Sequence, residues 1–117
     1  MVAQTLQHST FEVTLTKGSD ITDQVLATIS GAIKTVQIKK VFRIAGKTTY
    51  NILIIHDDGT PIALELTKRQ IAVVEGTDVL DGALATVAGA TEAVDIELLE
   101  INGTTRIYDV LAVHLNA

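Results

Sequence analysis

Gly18-Ser19-Asp20-Ile21-Thr22-Asp23-Gln24-Val25-Leu26-Ala27-Thr28-Ile29-Ser30-Gly31-Ala32 returns in the second half of the chain as Gly76-Thr77-Asp78-Val79-Leu80-Asp81-Gly82-Ala83-Leu84-Ala85-Thr86-Val87-Ala88-Gly89-Ala90. The correspondence holds from end to end. Residues 2–59 align with residues 60–117 without a gap, and fourteen positions are identical, where composition alone gives roughly four or five. Val36 and Ile38 meet Val94 and Ile96, while Tyr50, Leu53 and His56 meet Tyr108, Leu111 and His114. The chain is an internal duplication, with one repeat in residues 2–59 and the other in residues 60–117.

The quoted stretch reads as a helix. Asp20 suits an N-cap with Asp23 at N3, Ile21, Val25, Leu26 and Ile29 form one apolar stripe, and Gly31 suits a C′ stop. Asp78, Asp81, the stripe Val79-Ala83-Leu84-Val87 and Gly89 repeat the arrangement. A helix this short is marginal alone and must lean on a sheet.

The flanking segments read as strands. Phe11, Val13 and Leu15 alternate with Glu12, Thr14 and Thr16, and Ile62-Ala63-Leu64-Glu65-Leu66 and Ile71-Ala72-Val73-Val74 occupy the corresponding part of repeat 2. Val36, Ile38, Phe42 and Ile44 are expected on one face of a strand that turns at Ala45-Gly46. Val94, Ile96 and Leu98 begin its counterpart, which turns at Asn102-Gly103. The turn glycines Gly46 and Gly103 fall one position out of step with the matches around them, so one hairpin arm is expected to hold an extra residue, in a bulge near Lys40-Val41 or Leu98-Leu99. The return strands, Tyr50–Ile55 and Ile107–Val113, are apolar on both faces and read as central. Asp57-Asp58-Gly59-Thr60-Pro61 is the turn that joins the repeats. The expected fold class is therefore α+β: a strand-helix-strand-strand unit, duplicated into one shared-core, pseudo-twofold domain with mostly antiparallel sheet. This element order resembles the modules of dodecin-like and gyrase-inhibitor-like proteins.

Composition narrows the function. In 117 residues and 12.5 kDa, 47% of residues are apolar, 20% charged and 3% aromatic, with no cysteine and a mean hydropathy of +0.35. A disordered chain, a disulfide scaffold and cysteine-ligated zinc are excluded. The opening Met1–His8 has neither the basic nor the apolar part of a secretory signal, and no apolar run spans a membrane. The expected place is the cytoplasm, or a virion if the protein is viral. High hydropathy without a membrane segment suggests apolar surface covered by a partner.

No reaction centre emerges. His56 and His114 could ligate a metal, but repeat 2 has Leu115 and Asn116 where His56 is followed by Asp57 and Asp58. They read as strand-end histidines copied by duplication. Asp20, Asp23, Asp78 and Asp81 read as helix caps rather than paired acids. Lys47-Thr48 after Gly46 lacks the upstream glycine of a phosphate loop, and Ser9, Ser19 and Ser30 lack a nucleophile-elbow setting. The chain is read as a non-enzyme with no metal, cofactor or catalytic residue. Lys34, Lys39, Lys40, Arg43 and Lys47 surround a single Phe42, too little aromatic surface for a single-strand binding platform.

Charge separates the halves: residues 2–59 carry six Lys/Arg and five Asp/Glu, residues 60–117 three and nine. Lys34 aligns with Glu92, Lys39 with Glu97 and Lys17 with Glu75. This is either drift on solvated faces or a basic face of one copy meeting an acidic face of another, head to tail, as in a ring of three chains. Interface candidates are Lys34, Lys39, Lys40, Glu92, Asp95 and Glu97, with Gln4 and Gln7 in an N-terminal arm suited to strand addition.

With its pseudo-symmetry, a sheet-rich composition without cysteine, few aromatics and charge-complementary halves, the chain resembles the small virion proteins of tailed bacteriophages, in particular the capsid decoration or cement class. The resemblance implies a structural protein that binds over a shell of protein subunits and stabilises it, acting as a homo-oligomer such as a trimer, without membrane or nucleic acid. The alternative is a small-molecule-binding module using the cleft between the duplicated units.

Overall fold

The computed structural model describes residues 5–116, and these form seven strands and no helix. They are β1 (Gln7–Thr16), β2 (Ile21–Ser30), β3 (Ile33–Ile44), β4 (Lys47–His56), β5 (Pro61–Val74), β6 (Thr91–Asn102) and β7 (Thr105–Leu115). One sheet has the order β1-β4-β3 and the other β2-β5-β7-β6, with every pairing antiparallel. The protein is all-β, which corrects the α+β expectation. The return strands β4 and β7 are central, as their two-sided apolarity predicts.

The expected helix at Asp20–Gly31 is the strand β2. Ile21, Thr22, Val25, Thr28 and Ile29 are β-branched and fit a pleated surface. The pairing with β5 slips between Ile21 and Gln24, and Asp23 there has φ 47°, a left-handed conformation that interrupts a right-handed helix. Asp20 does not cap. Its Oδ1 lies 3.3 Å from the Gln70 backbone N–H, across to β5. The corresponding stretch of repeat 2, residues 79–88, forms neither helix nor strand.

The duplication is nonetheless visible bond by bond. β1, β3 and β4 correspond to β5, β6 and β7, and the register slips at Ile33/Thr35 and Lys40/Phe42 recur at Thr91/Ala93 and Leu98/Glu100. The hydrogen bond from Asp57 N–H to Ala32 O recurs from Leu115 to Ala90, and that from Lys17 to Gly46 O recurs from Glu75 to Thr104. Neither hairpin is longer than the other. Ala45-Gly46 corresponds to Gly103-Thr104, so the glycines occupy different places in equal turns, and both arms carry the bulge. The bulge at Val41 also moves Phe42 and Ile44 to the opposite face from Val36 and Ile38, where strict alternation would keep them together.

Each three-stranded unit has a front face, bearing the tyrosine and histidine of its return strand, and a back face. In the first unit the front carries Phe11, Val13, Leu15, Val36, Ile38, Tyr50, Ile52 and Ile54. In the second the back carries Leu64, Leu66, Ala93, Leu111 and Val113. These two faces pack on one another. One buried cluster joins Ile52 and Ile54 to Leu64 and Val113, with Ile29 of β2, and another joins Leu15 and Tyr50 to Leu66 and Leu111. A twofold axis would bring like faces together; here front meets back, so the expected pseudo-twofold is replaced by a head-to-tail relationship. The molecule is elongated, 58 × 33 × 20 Å, with a radius of gyration of 16.1 Å against roughly 13 Å for a compact chain of this length.

Candidate functional site

The junction between the units is held by apolar burial with an ionic margin. Lys40 and Arg43 project from the front of β3 and meet acids on the back of β6. Lys40 Nζ lies 3.5 Å from Glu97 and 3.9 Å from Asp95, and Arg43 pairs with Glu97. Lys40, Asp95 and Glu97 are thus brought together as a basic strand facing an acidic one, but inside one chain. Glu97 is buried. Lys34 pairs with Asp57 at 3.8 Å, Lys39 lies on the open back face of the first unit, Glu92 is half-buried at the start of β6, and Gln7 opens β1. Gln4 lies outside the described residues.

Sequence reasoning missed a buried ion pair on the back of the second unit. Lys68 Nζ and Asp109 Oδ2 are 3.1 Å apart with both side chains almost wholly buried. Lys68 donates to Ser19 O at 2.7 Å and Asp109 accepts from Gly18 N–H at 3.0 Å, so the pair also ties down the β1–β2 connection. Its counterparts in repeat 1 are Thr10 and Asn51, so repeat matching gives no hint of it. Tyr50 lies in the same junction, where burial, and then the negative charges of Glu97, Asp95 and Asp109, hold its hydroxyl protonated far above the ordinary phenol range.

His56 and His114 are fixed by neighbours. Each Nδ1–H points at two carbonyls, Ser30 and Asp57 for His56, Ala88 and Leu115 for His114. Each Nε2 lies 2.8 Å from a hydroxyl, of Ser9 or Thr67. Asp23, Glu65 and His114 place potential ligand atoms within 4.8 Å of one another, but His114 already uses both ring nitrogens in tying strand ends together.

What the junction leaves open is the front of the second unit and the back of the first. Val94, Ile96, Leu98 and Ile101 are exposed on the former, with Ile96 at 61%; Leu53, Phe42 and Ile44 are exposed on the latter. Among the described residues the outer edge of β1 is also unpaired, whereas the corresponding edge of β5 holds β2. Beside it lies an open cleft of about 530 Å³ lined by Leu6–Ser9, Thr28–Ser30 and His56.

Comparison with protein families, with curated proteins and with solved structures returned no match. Among the described residues no helix is long and apolar enough to cross a membrane.

Proposed function

We propose that this is a structural assembly protein acting through protein–protein contacts, in the setting its sequence resemblance implies: a cement that binds over a viral shell and stabilises it. One observation carries the reading. The two repeats pack front to back, and the faces left uncovered are again a front and a back, both rich in exposed apolar side chains. Contiguous apolar surface of this kind marks an interaction site. A front-to-back contact is open at both ends, so it extends from subunit to subunit until it closes.

The alternative, a small-molecule site between the units, loses its cleft: Ile52, Ile54, Leu64, Leu66 and Leu111 fill that space. The test is the mass of the purified chain by light scattering and native mass spectrometry across micromolar concentrations. The proposal expects multiples of 12.5 kDa, three chains being the simplest ring of six units. A chain that stays at a single copy throughout, and fails to bind any shell, overturns it.

A further inference from the structure

We infer that residues 79–88 of one copy add as a strand to the free edge of β1 in a second copy, where the front of the first copy's second unit seats on the back of the second copy's first unit. This rests on the assembly reading above and names its partner and its joint.

The template is the joint inside the chain. There, β2 leaves the first unit and joins the sheet of the second, pairing antiparallel with β5 while Leu26 and Ile29 cover the front face it came from. Residues 79–88 are the copy of β2 in the second unit. They leave that unit in the same way, and Leu84 and Val87, the counterparts of Leu26 and Ile29, line a cleft against Val94, Val110 and Ala112 of its front face. Val79 and Leu80 are exposed, Leu80 at 88%. Asp81 keeps the left-handed backbone of Asp23, φ 56° against 47°, although it has no strand to bulge against. The segment therefore keeps the left-handed turn point of β2 but pairs with no edge among the described residues.

The matching edge is β1, the copy of β5. Among the described residues its outer side pairs with no strand over Gln7–Thr16, which makes it a standing template for another strand. The open cleft by Leu6–Ser9 and His56 corresponds to the place in the second unit where Gln24–Ala27 lie against Leu64–Leu66. Replacing each residue of the β2–β5 register by its repeat counterpart pairs Val79 with Thr10, Gly82 with His8, Ala83 with Gln7 and Ala85 with Leu6 of the next copy. The hydrogen bond from Asp23 N–H to Thr67 Oγ1 becomes one from Asp81 to the hydroxyl of Ser9. The repeat counterparts of the internal clusters meet in the same step: Val87, Val110 and Ala112 meet Leu6 and Ile55 of the second copy, and the exposed Val73 with the half-buried Tyr108 meet its exposed Leu53.

The absence of cysteine from the sequence makes the register directly readable. Ala83→Cys and Gln7→Cys are prepared as separate proteins, mixed, allowed to exchange subunits and oxidised mildly. The expected product is a disulfide-linked pair containing one chain of each kind, formed in the mixture and in neither protein alone. A Thr14→Cys control mixed with Ala83→Cys stays unlinked. The double variant is expected to give a ladder of linked chains, and either a closed ring or an open filament supports the joint. A double variant that loses both thiols at the mass of one chain overturns it, because the segment then folds onto its own β1. Light scattering on the same unoxidised samples separates the two claims. Multimers without the mixed disulfide overturn the strand addition and leave the assembly reading standing, whereas single copies at every concentration overturn the strand addition and, only together with failure to bind a shell, the assembly reading. As a second arm, Ala85→Pro removes a ladder donor in a segment that carries no strand within its own chain. It is expected to weaken association roughly tenfold or more with the unfolding midpoint of the isolated chain unchanged, and unaltered association overturns the proposal.

Discussion

His56 and His114, at equivalent positions of the two repeats, make the same set of hydrogen bonds in different surroundings. Each ring spans a hydroxyl at position 9 or 67 and the carbonyl at position 30 or 88, at 2.6–2.8 Å. The carbonyl belongs to the end of β2 in one unit and to the end of the unpaired segment 79–88 in the other, so each histidine anchors the departing segment to its own unit. Replacing His114 with Leu leaves the Ala88 and Leu115 carbonyls without that donor and is expected to cost about 1–3 kcal/mol. His56→Leu is expected to cost a similar amount, read from urea unfolding midpoints. A negligible loss at both sites would mean that the rings merely fill space.

Gly31 stands where a side chain cannot. Its φ is +70°, and a Cβ there falls 1.7 Å from Asp57 Oδ1 and 2.4 Å from the Gly59 backbone nitrogen. Gly46 shares the left-handed conformation, φ +76°, but has open space around it. Gly46→Ala is expected to cost about 1–2 kcal/mol, the conformational term alone. Gly31→Ala is expected to exceed it clearly, because the backbone of the turn joining the repeats must move. Equal losses in thermal or urea unfolding would remove the steric part of this account.

The duplication, the central strands and the joining turn at Asp57–Pro61 are legible in the sequence because each rests on local pattern. The β2 strand is not. Ile21, Val25, Leu26 and Ile29 satisfy a helical spacing, and what decides against it is the edge of β5, contributed by the other repeat, together with a bulge at Asp23 that no periodicity announces. The same holds for Phe42, carried to the other face by the bulge at Val41. Of the charged candidates, Lys40, Asp95 and Glu97 meet inside one chain, whereas Lys34 pairs with Asp57 and Lys39 lies on an open face. The sequence reading weighs drift against a contact between two molecules and not a contact within one, because nothing local says that front packs on back within one chain. Lys68 and Asp109 escape notice because their repeat counterparts, Thr10 and Asn51, are uncharged.

Asp57 gives the turn between repeats a pH dependence. Its Oδ1 accepts backbone N–H bonds from Gly59 at 3.1 Å and Ala32 at 2.7 Å, which hold its carboxyl below the ordinary value of 3.8, with the nearby Lys34 adding to the effect. A lowered folded-state pKa means that the ionised group stabilises the fold fully above about pH 4. That contribution fades as pH falls below 3.8 towards the folded-state value. Asp57→Asn keeps an acceptor oxygen but cannot titrate. Its deficit relative to the parent is expected to be constant between pH 5 and 7 and to shrink below pH 4, in urea midpoints measured across that range. A deficit independent of pH would assign Asp57 a purely geometric role.

Lys68 and Asp109 form the most deeply buried ion pair among the described residues, and their cost and benefit separate by mutation. Each side chain has left water almost completely, and desolvation offsets much of the attraction between them. Removing one partner strands the other. Lys68→Met leaves Asp109 as an unpaired charge, and Asp109→Leu leaves Lys68 with only the Ser19 carbonyl; each is expected to cost about 3–5 kcal/mol. The double variant Lys68→Met/Asp109→Leu leaves no stranded charge and is expected to recover most of that loss. It still lacks the acceptor for the Gly18 N–H, so the β1–β2 connection is expected to exchange its amide hydrogens faster even where global stability returns. A double variant as unstable as the sum of the singles would show that the charges themselves, rather than their mutual compensation, hold this part of the sheet together.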